Sequence, residues 1–462
     1  MRGAEVGARQ HRHSGGGYYL ILALAFLATL GALGGASRPD ELQQFFVRGA
    51  ALLAIAAALW PLDFSAFRDG RRAAAGLALV YVLLLAQLVP LPPSVWAQMP
   101  GHDVYSAIAQ QTGTVGWRPW TISPDLTLNA LAALLPATAI GLIALALDFR
   151  ARLLLARLIV GIACASALLG MMQFAAGGAA LHLFRTTSED SAVGLFANRN
   201  HQAVLMSCAL PIGAAIASVG MQRGGVSWRS LAVQLSTGAL LLMGLAVTGS
   251  RMGLLLGALG IAAAAIIYFV AARAAELVRP VGARLFATAS AATAVVLVTV
   301  SILVWRAGAL TRLATDPVDQ TRMAALGPML AAARTFFPFG AGFGTFDPVY
   351  RRVEPDSLLS TIYLNQAHNE PVQLAIEGGL AALFLLLLFI IWWAQAAVRA
   401  VRSRESVSRR ALGTAMTATT LILMLSSLVD YPLRTPLLSG LFALGCVELL
   451  RSRRSPAPSP GT

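Results

Sequence analysis

Four groups of polar and charged residues interrupt an otherwise apolar sequence, and they carry the candidate chemistry. They are residues 194–201 (GLFANRNH), 248–251 (TGSR), Arg322, and 365–371 (NQAHNEP), which leads on to Glu377. Charged and strongly polar side chains are costly within a membrane, so each group is a candidate functional site. Between them, the groups offer guanidinium side chains and a histidine at the start of a predicted helix.

Arg251, Arg322 and His368 are the candidate catalytic residues. A guanidinium group binds phosphate through two parallel hydrogen bonds, which suits the two arginines to a phosphate leaving group. The positive end of the helix dipole disfavours imidazolium at His368, and a neutral imidazole can accept a proton as a general base must. These residues predict a reaction that removes a proton and expels a phosphate.

Six further positions in the same groups are candidate substrate-binding residues: Asn198, Arg199, Asn200, Asn369, Gln373 and Glu377. The last three are spaced four residues apart, so a helix places them in one polar stripe that must face protein or water. The sequence also leaves structural interpretations open. The asparagines can cap a helix, the arginines can anchor helix ends or be solvated, and His368 can cap a loop.

Several other kinds of chemistry have no support in the sequence. All 35 basic residues are arginine, which excludes a P-loop lysine and a lysine Schiff base. Metalloprotease, serine-hydrolase and Asp-x-Asp motifs are missing, and no paired carboxylates for glycoside hydrolysis are evident. Cys164, Cys208 and Cys446 lie in apolar runs without metal-ligand spacing. We therefore expect neither a metal nor another cofactor.

Membrane-spanning helices must position these groups. The 462 residues are 57% hydrophobic and 12% charged, against roughly 25% charged residues in soluble domains. About 20 apolar residues cross a bilayer, and this length gives about twelve candidate spans. They cover residues 18–36, 45–62, 73–91, 127–148, 153–176, 200–220, 231–249, 252–272, 285–306, 371–396, 411–429 and 436–450. The predicted fold class is an all-α, polytopic membrane protein whose first span is a retained helix rather than a signal peptide.

The distribution of arginine predicts the orientation. With a cytoplasmic N-terminus, the inward-facing segments hold most of the arginines, as the positive-inside rule requires, and the outward-facing ones hold most of the acids. Both termini are then cytoplasmic, and all four polar groups lie on the outer side. This topology explains the formal net charge of +14, which gives no reason to expect nucleic acid as a partner.

Two predicted outer segments are long, and a loop as long as 307–370, between spans nine and ten, is usually functional. Its residues 321–337 predict an amphipathic helix, which Gly327 and Pro328 are expected to kink or split. The apolar side of that helix is predicted to carry Met323, Leu326, Leu330 and Ala333. The other segment, 92–126, contains three tryptophans expected at the membrane interface: Trp96, Trp117 and Trp120.

In their order, the motifs resemble the O-antigen ligase and polymerase superfamily of bacterial envelope glycosyltransferases. The resemblance rests on GLFANRN, then GSR, then Arg322 ahead of 338–346 (PFGAGFGTF), then His368-Asn369 with Gln373 and 377–380 (EGGL). It implies an inner-membrane enzyme that takes a glycan from undecaprenyl diphosphate and joins it to an acceptor glycan on the periplasmic side. The acceptor is the lipid A core in ligases and another lipid-linked repeat in polymerases.

The resemblance also implies metal-independent, inverting transfer and assigns roles by position. Arg251 is similar to the arginine that holds the diphosphate, Arg322 to the loop arginine that assists it, and His368 to the candidate base. Membrane lipids and the two glycan substrates are the expected partners. The chain could be an O-antigen ligase or a polymerase of O-antigen or exopolysaccharide. Ala382 stands where the ligase pattern prefers glycine and Leu326 where many members have tryptophan, which slightly favours a polymerase or a general member over a ligase.

The predicted domain organisation follows the spans and the resemblance. A cytoplasmic segment (1–17) precedes an N-terminal transmembrane bundle (18–189), and the O-antigen ligase-like core (190–390) includes the periplasmic loop 307–370. C-terminal helices (391–450) and a disordered cytoplasmic tail (451–462) complete the chain. The alternative function is a multi-span transporter or flippase of lipid-linked sugars, although the gathering of polar groups at one face favours the enzyme.

Overall fold

The computed structural model of the protein describes residues 2–61, 70–177, 181–185, 191–224, 227–274, 317–359 and 364–452. Their regular secondary structure is almost entirely helical, which confirms the all-α expectation. The α-helices are α1 (Arg2–Leu33), α2 (Leu42–Leu59), α3 (Arg71–Gln87), α4 (Pro93–Trp96), α5 (Asp103–Thr112), α6 (Pro124–Ala133), α7 (Leu135–Leu145), α8 (Phe149–Ala175), α9 (Arg199–Gly224), α10 (Trp228–Val247), α11 (Arg251–Ala274), α12 (Pro317–Thr335), α13 (Phe346–Tyr350), α14 (Glu370–Val401), α15 (Val407–Ser426) and α16 (Pro436–Arg451). Two short strands, β1 (Pro90–Leu91) and β2 (Arg118–Pro119), pair antiparallel, and 3-10 turns cover Asp356–Leu358 and Pro432–Arg434.

Eight helices among the described residues are long and apolar enough to cross a membrane, so the chain is a multi-pass membrane protein. They comprise residues 16–33 of α1, α2, the consecutive α6 and α7, α8, most of α9, α10, α11 and α14. The predicted span 73–91 corresponds to a shorter apolar helix, and 411–429 and 436–450 correspond to α15 and α16. The predicted span 285–306 lies outside the described residues. The count of about twelve and the position of the long loop therefore stay predictions.

One large hydrophobic core joins α1, α2, α7, α8, α9, α10, α11, α15 and α16. Helix α9 is the most deeply buried of the membrane-length helices, with 78% of its apolar window inside the protein. Its apolar residues and small Ala, Ser and Gly side chains allow neighbouring helices to pack on every side. The start of α9, which carries the first polar group, is thereby held at a fixed place in the bundle.

Helix α14 is interrupted at Gly379, whose φ of 57° and ψ of −145° are not helical. The glycine-rich loop 338–344 packs into this break and bonds to the helix backbone on both sides of it. Ala341 N donates to Ile376 O (2.8 Å), Gly342 N donates to Glu377 O (2.9 Å), and Leu380 N donates to Pro338 O (2.8 Å). The loop therefore satisfies backbone groups that the break releases, as a non-helical segment in a membrane protein must.

Helix α12 differs from its prediction in two ways. It continues without interruption through Pro328, so it is not split there. The predicted apolar side was also wrong, because Met323, Leu326 and Leu330 are exposed. The buried side instead carries Ala325, Met329 and Ala332, with Phe336 just beyond the helix. The physical reason is that this stretch is apolar all around the helix, so hydrophobic periodicity does not select one side.

The tryptophans of segment 92–126 are not equivalent. Trp117 is exposed, whereas Trp96 is buried within the protein. The interfacial position of the segment stays a prediction. The indole Nε1 of Trp96 donates to Gly116 O (3.1 Å), and the guanidinium of Arg118 lies 5.6 Å from its ring. Trp120 Nε1 donates to Gly340 O (3.2 Å), which holds the segment against the glycine-rich loop.

Candidate functional site

A buried carboxylate, Asp430, lies at the centre of the polar residues. Asn200 Nδ2 donates to its Oδ2 (2.8 Å), and Asn198 Nδ2 approaches the same oxygen at 3.5 Å. His368 Nδ1 lies 3.1 Å from Asp430 Oδ1, which also accepts a hydrogen bond from the backbone of Tyr431 (3.0 Å). The first and fourth predicted groups therefore meet at one carboxylate from a loop between α15 and α16.

The surroundings of Asp430 keep it ionised. Burial alone would raise its pKa, but the hydrogen bond with His368 and the electrostatic interactions with His368, His201 and Arg322 outweigh that effect. The pKa of Asp430 is therefore well below its ordinary value. Burial and the charge of Asp430 together raise the pKa of the neighbouring Tyr431, so this phenol stays protonated.

His368 is fixed between Asp430 and the start of α14. Its backbone φ of 49° is in the left-handed region, which is uncommon for a residue with a side chain. Because an ionised carboxylate only accepts hydrogen bonds, the proton of a neutral His368 is on Nδ1 and the lone pair is on Nε2. Asn369 Oδ1 accepts from Val372 N (3.1 Å) and caps α14, as the sequence predicts.

The first two predicted groups are joined by hydrogen bonds. Asn198 Oδ1 accepts from Asn200 N (2.8 Å), which caps α9 as expected. Ser250 Oγ donates to Asn200 Oδ1 (2.8 Å) and accepts from Gly253 N (3.0 Å) in the first turn of α11. The side chain of Asn200 therefore links the Asp430 carboxylate to the turn that precedes Arg251.

Three helices begin beside this cluster. Helices α9, α11 and α14 begin at Arg199, Arg251 and Glu370, each within two residues of a side chain bonded in the cluster. The N-terminal end of a helix carries partial positive charge and free N–H groups, both of which favour an anionic ligand. The convergence of three such ends makes this edge of the bundle suited to a phosphate group.

The structure places the predicted arginines at this edge. Arg199 and Arg251 are the first residues of α9 and α11 and are half-buried. Arg322 is also half-buried, and its charge contributes to lowering the pKa of Asp430. The arginine of the long segment therefore lies within electrostatic reach of the carboxylate.

Gln373 and Glu377 form a second buried polar network beside the cluster. Gln373 Nε2 donates to Glu377 Oε1 (2.9 Å), which also accepts from Phe346 N (3.2 Å). Arg434 makes two hydrogen bonds to Glu370 (2.7 and 3.0 Å) and lies 3.7 Å from Glu377 Oε2. The predicted polar stripe faces protein as expected, and Glu377 contacts both the start of α13 and Arg434 in the 3-10 turn Pro432–Arg434.

Sequence reasoning missed Asp430 and Arg434, and it did not predict that His201 lies beside Asp430. Both ring nitrogens of the buried His201 lack a hydrogen-bond partner in the part of the chain that the structure describes, and Nε2 lies 3.9 Å from Asp430 Oδ1. Asp430 directly follows the predicted span 411–429, so the rule that flags charges at membrane depth could have found it. Across the described ranges, no group of three His, Cys, Asp or Glu residues could hold a metal ion.

Comparison with protein families gives one match. Residues 237–387 match the family model described as O-antigen ligase, which confirms the predicted resemblance. The matched residues include Arg251, Arg322 and His368, whereas the asparagines of α9 and Asp430 lie outside them. No curated protein matches the chain.

Proposed function

We propose that the protein is a glycosyltransferase that uses a glycan carried on undecaprenyl diphosphate, because residues 237–387 match the O-antigen ligase family model. The acceptor is a second glycan, either the lipid A core or another lipid-linked repeat. The reaction takes place on the periplasmic side of the bacterial inner membrane, with both termini in the cytoplasm. The observation that carries this proposal is the His368–Asp430 pair at an edge with three helix N-termini and the candidate arginines.

His368 acts as the general base in this proposal. Its Nε2 takes the proton from an acceptor hydroxyl while Asp430 stabilises the imidazolium that forms. The hydroxyl oxygen then attacks the anomeric carbon on the face opposite the diphosphate. The bond between that carbon and the diphosphate oxygen breaks, its electron pair stays on the diphosphate, and the anomeric configuration inverts.

Arg251 and Arg322 hold the diphosphate as its negative charge increases in the transition state. Positive groups placed where charge develops lower the barrier more than in water, because the site is partly closed to solvent. The N-termini of α9 and α11 add backbone N–H groups to this electrostatic stabilisation. The reaction therefore needs no metal ion, because arginine and helix ends neutralise the leaving group.

The proposal is tested by a transfer assay with purified protein in lipid nanodiscs. An undecaprenyl-diphosphate-linked glycan and an acceptor glycan are supplied with and without EDTA, and both the new glycosidic bond and released undecaprenyl diphosphate are measured. We expect both products with and without EDTA. The Arg251→Ala variant should form much less of each product. Movement of the donor across vesicle membranes without a new glycosidic bond would instead identify a transporter.

Asp430→Asn should reduce transfer by roughly 10²-fold or more, because an amide can stabilise the wrong tautomer of His368 and cannot balance imidazolium. A carboxyl group is ionised at every pH above its pKa. Because the pKa of Asp430 is lowered, this residue is ionised throughout pH 5–8 in the wild-type protein. The loss in Asp430→Asn should therefore persist over this whole range in a pH–rate profile. Asp347→Asn, which removes a surface pair with Arg351 (2.7 Å), is the matched control and should keep wild-type activity. An Asp430→Asn protein with a normal pH profile and rate would exclude the pair from the mechanism.

A further inference from the structure

The exposed side of α12 is entirely apolar along most of the helix. Met323 is 82% exposed, Leu326 42% and Leu330 43%, and we call these three residues the α12 outer face. Residues 323–333 contain no charged or hydrogen-bonding side chain, and the opposite side of the helix is already buried in the protein. A helix that is apolar all around requires an apolar environment on its exposed side as well.

The α12 outer face leads into the lipid-facing surface of a membrane-length helix. Phe337 and Phe339 follow α12 and are exposed, and between them Pro338 O accepts a hydrogen bond from Leu380 N of α14 (2.8 Å). Beyond that contact, α14 exposes Leu380, Phe384, Leu387, Leu388 and Ile391. Since α14 is long and apolar enough to cross a membrane, this surface faces acyl chains. The exposed apolar side chains thus continue from α14, through the two phenylalanines, to α12.

The charged residues near α12 fit the same environment. Arg322 stands directly before the apolar stretch and Arg334 directly after it. Long arginine side chains at the ends of an apolar helix can reach the headgroup layer while the helix contacts hydrocarbon. A helix in this arrangement lies along the membrane interface instead of crossing it.

We propose that α12 lies in the membrane interface, with the α12 outer face in contact with the acyl chains of the bilayer. This assignment places membrane lipid, instead of a polar glycan, against this side of the long outer segment. It stands independently of the proposed transfer reaction. If that reaction is also correct, Arg322 lies at the depth of lipid phosphate groups, where a lipid-linked diphosphate would be.

The test measures the surroundings of single spin labels on the full-length protein. Cys164, Cys208 and Cys446 are first replaced by alanine, and Leu326→Cys and Leu330→Cys are then labelled separately in nanodiscs of phosphatidylethanolamine and phosphatidylglycerol. Accessibility to oxygen, which concentrates in hydrocarbon, is compared with accessibility to a water-soluble nickel chelate. Leu387→Cys on α14 is the lipid reference, and Ser357→Cys, exposed beside Asp356, is the water reference.

Both α12 labels should show a several-fold higher ratio of oxygen to nickel accessibility than the Ser357→Cys label, between that value and the ratio of Leu387→Cys. Nickel accessibility equal to that of Ser357→Cys would place the helix in water and overturn the proposal. Low accessibility to both reagents would mean that protein covers the face, either a second copy or residues 275–316, and would overturn it as well. None of these readouts depends on glycan transfer, so the proposal can fail while the enzymatic function stands, and the reverse.

Discussion

His368→Ala should reduce the rate of glycan transfer by about 10²–10⁴-fold, the usual contribution of a positioned general base. The loss is expected mainly in kcat, because the imidazole accepts a proton only as the acceptor hydroxyl attacks. Binding of the lipid-linked donor should change little, since the proposed diphosphate contacts come from arginines and helix N-termini. The measurement is steady-state transfer from an undecaprenyl-diphosphate-linked glycan, together with donor affinity.

Two controls separate a catalytic loss from a folding defect. His182→Ala removes a half-buried histidine that belongs to none of the four polar groups, and it should keep near wild-type transfer. The His368→Ala protein should elute as a single folded species in detergent and melt close to the wild-type temperature. Near wild-type kcat in His368→Ala would remove this residue from the mechanism and leave the reaction without its base.

Gly379→Ala should destabilise the protein by about 2–6 kcal/mol, the second large effect that we expect. A side chain at its φ of 57° and ψ of −145° adds backbone strain of about 1–3 kcal/mol. The added methyl group would also overlap the carbonyl oxygen of Pro338, and overpacking of this kind costs about 1–3 kcal/mol. The measurement is the thermal unfolding midpoint in detergent.

Gly327→Ala is the matched control for that substitution. Gly327 lies inside α12, has no positive φ, and would place its new methyl group in open space. Alanine is favoured over glycine in a helix by roughly 0.5–1 kcal/mol, so this variant should melt at or slightly above the wild-type temperature. Equal melting temperatures for Gly379→Ala and Gly327→Ala would show that the glycine-rich loop does not depend on the break in α14.

The sequence predicts local features of the site because their causes are local. The caps by Asn198 and Asn369 and the burial of Gln373 and Glu377 follow from helix-start signals and helical spacing. The confirmed family resemblance likewise depends on motifs that can be read along the chain. The roles of Arg251, Arg322 and His368 stay predictions, although the structure places these residues at one edge of the bundle.

Features that depend on tertiary packing were not predictable in the same way. The contact between His368 and Asp430 joins residues 62 positions apart across α14 and α15, and no sequence spacing specifies that distance. The buried side of α12 was predicted wrongly because nothing in residues 323–333 distinguishes one side by polarity. Trp96 illustrates a third cause. Its indole donates a hydrogen bond to Gly116 and lies beside the guanidinium of Arg118, and these contacts allow it to be buried, which the sequence does not predict.

The Asp430 carboxylate is contacted by side chains from two distant parts of the chain, the asparagines that start α9 and the histidine before α14. A protein that received only the family-matched segment would thus carry His368 without Asp430 and without the asparagines that bond to it. Any recombination or truncation that keeps only residues 237–387 should yield an inert fragment, even if that fragment inserts into a membrane. The polar cluster around Asp430 therefore depends on the whole helical bundle, because its side chains come from segments on both sides of the family-matched region.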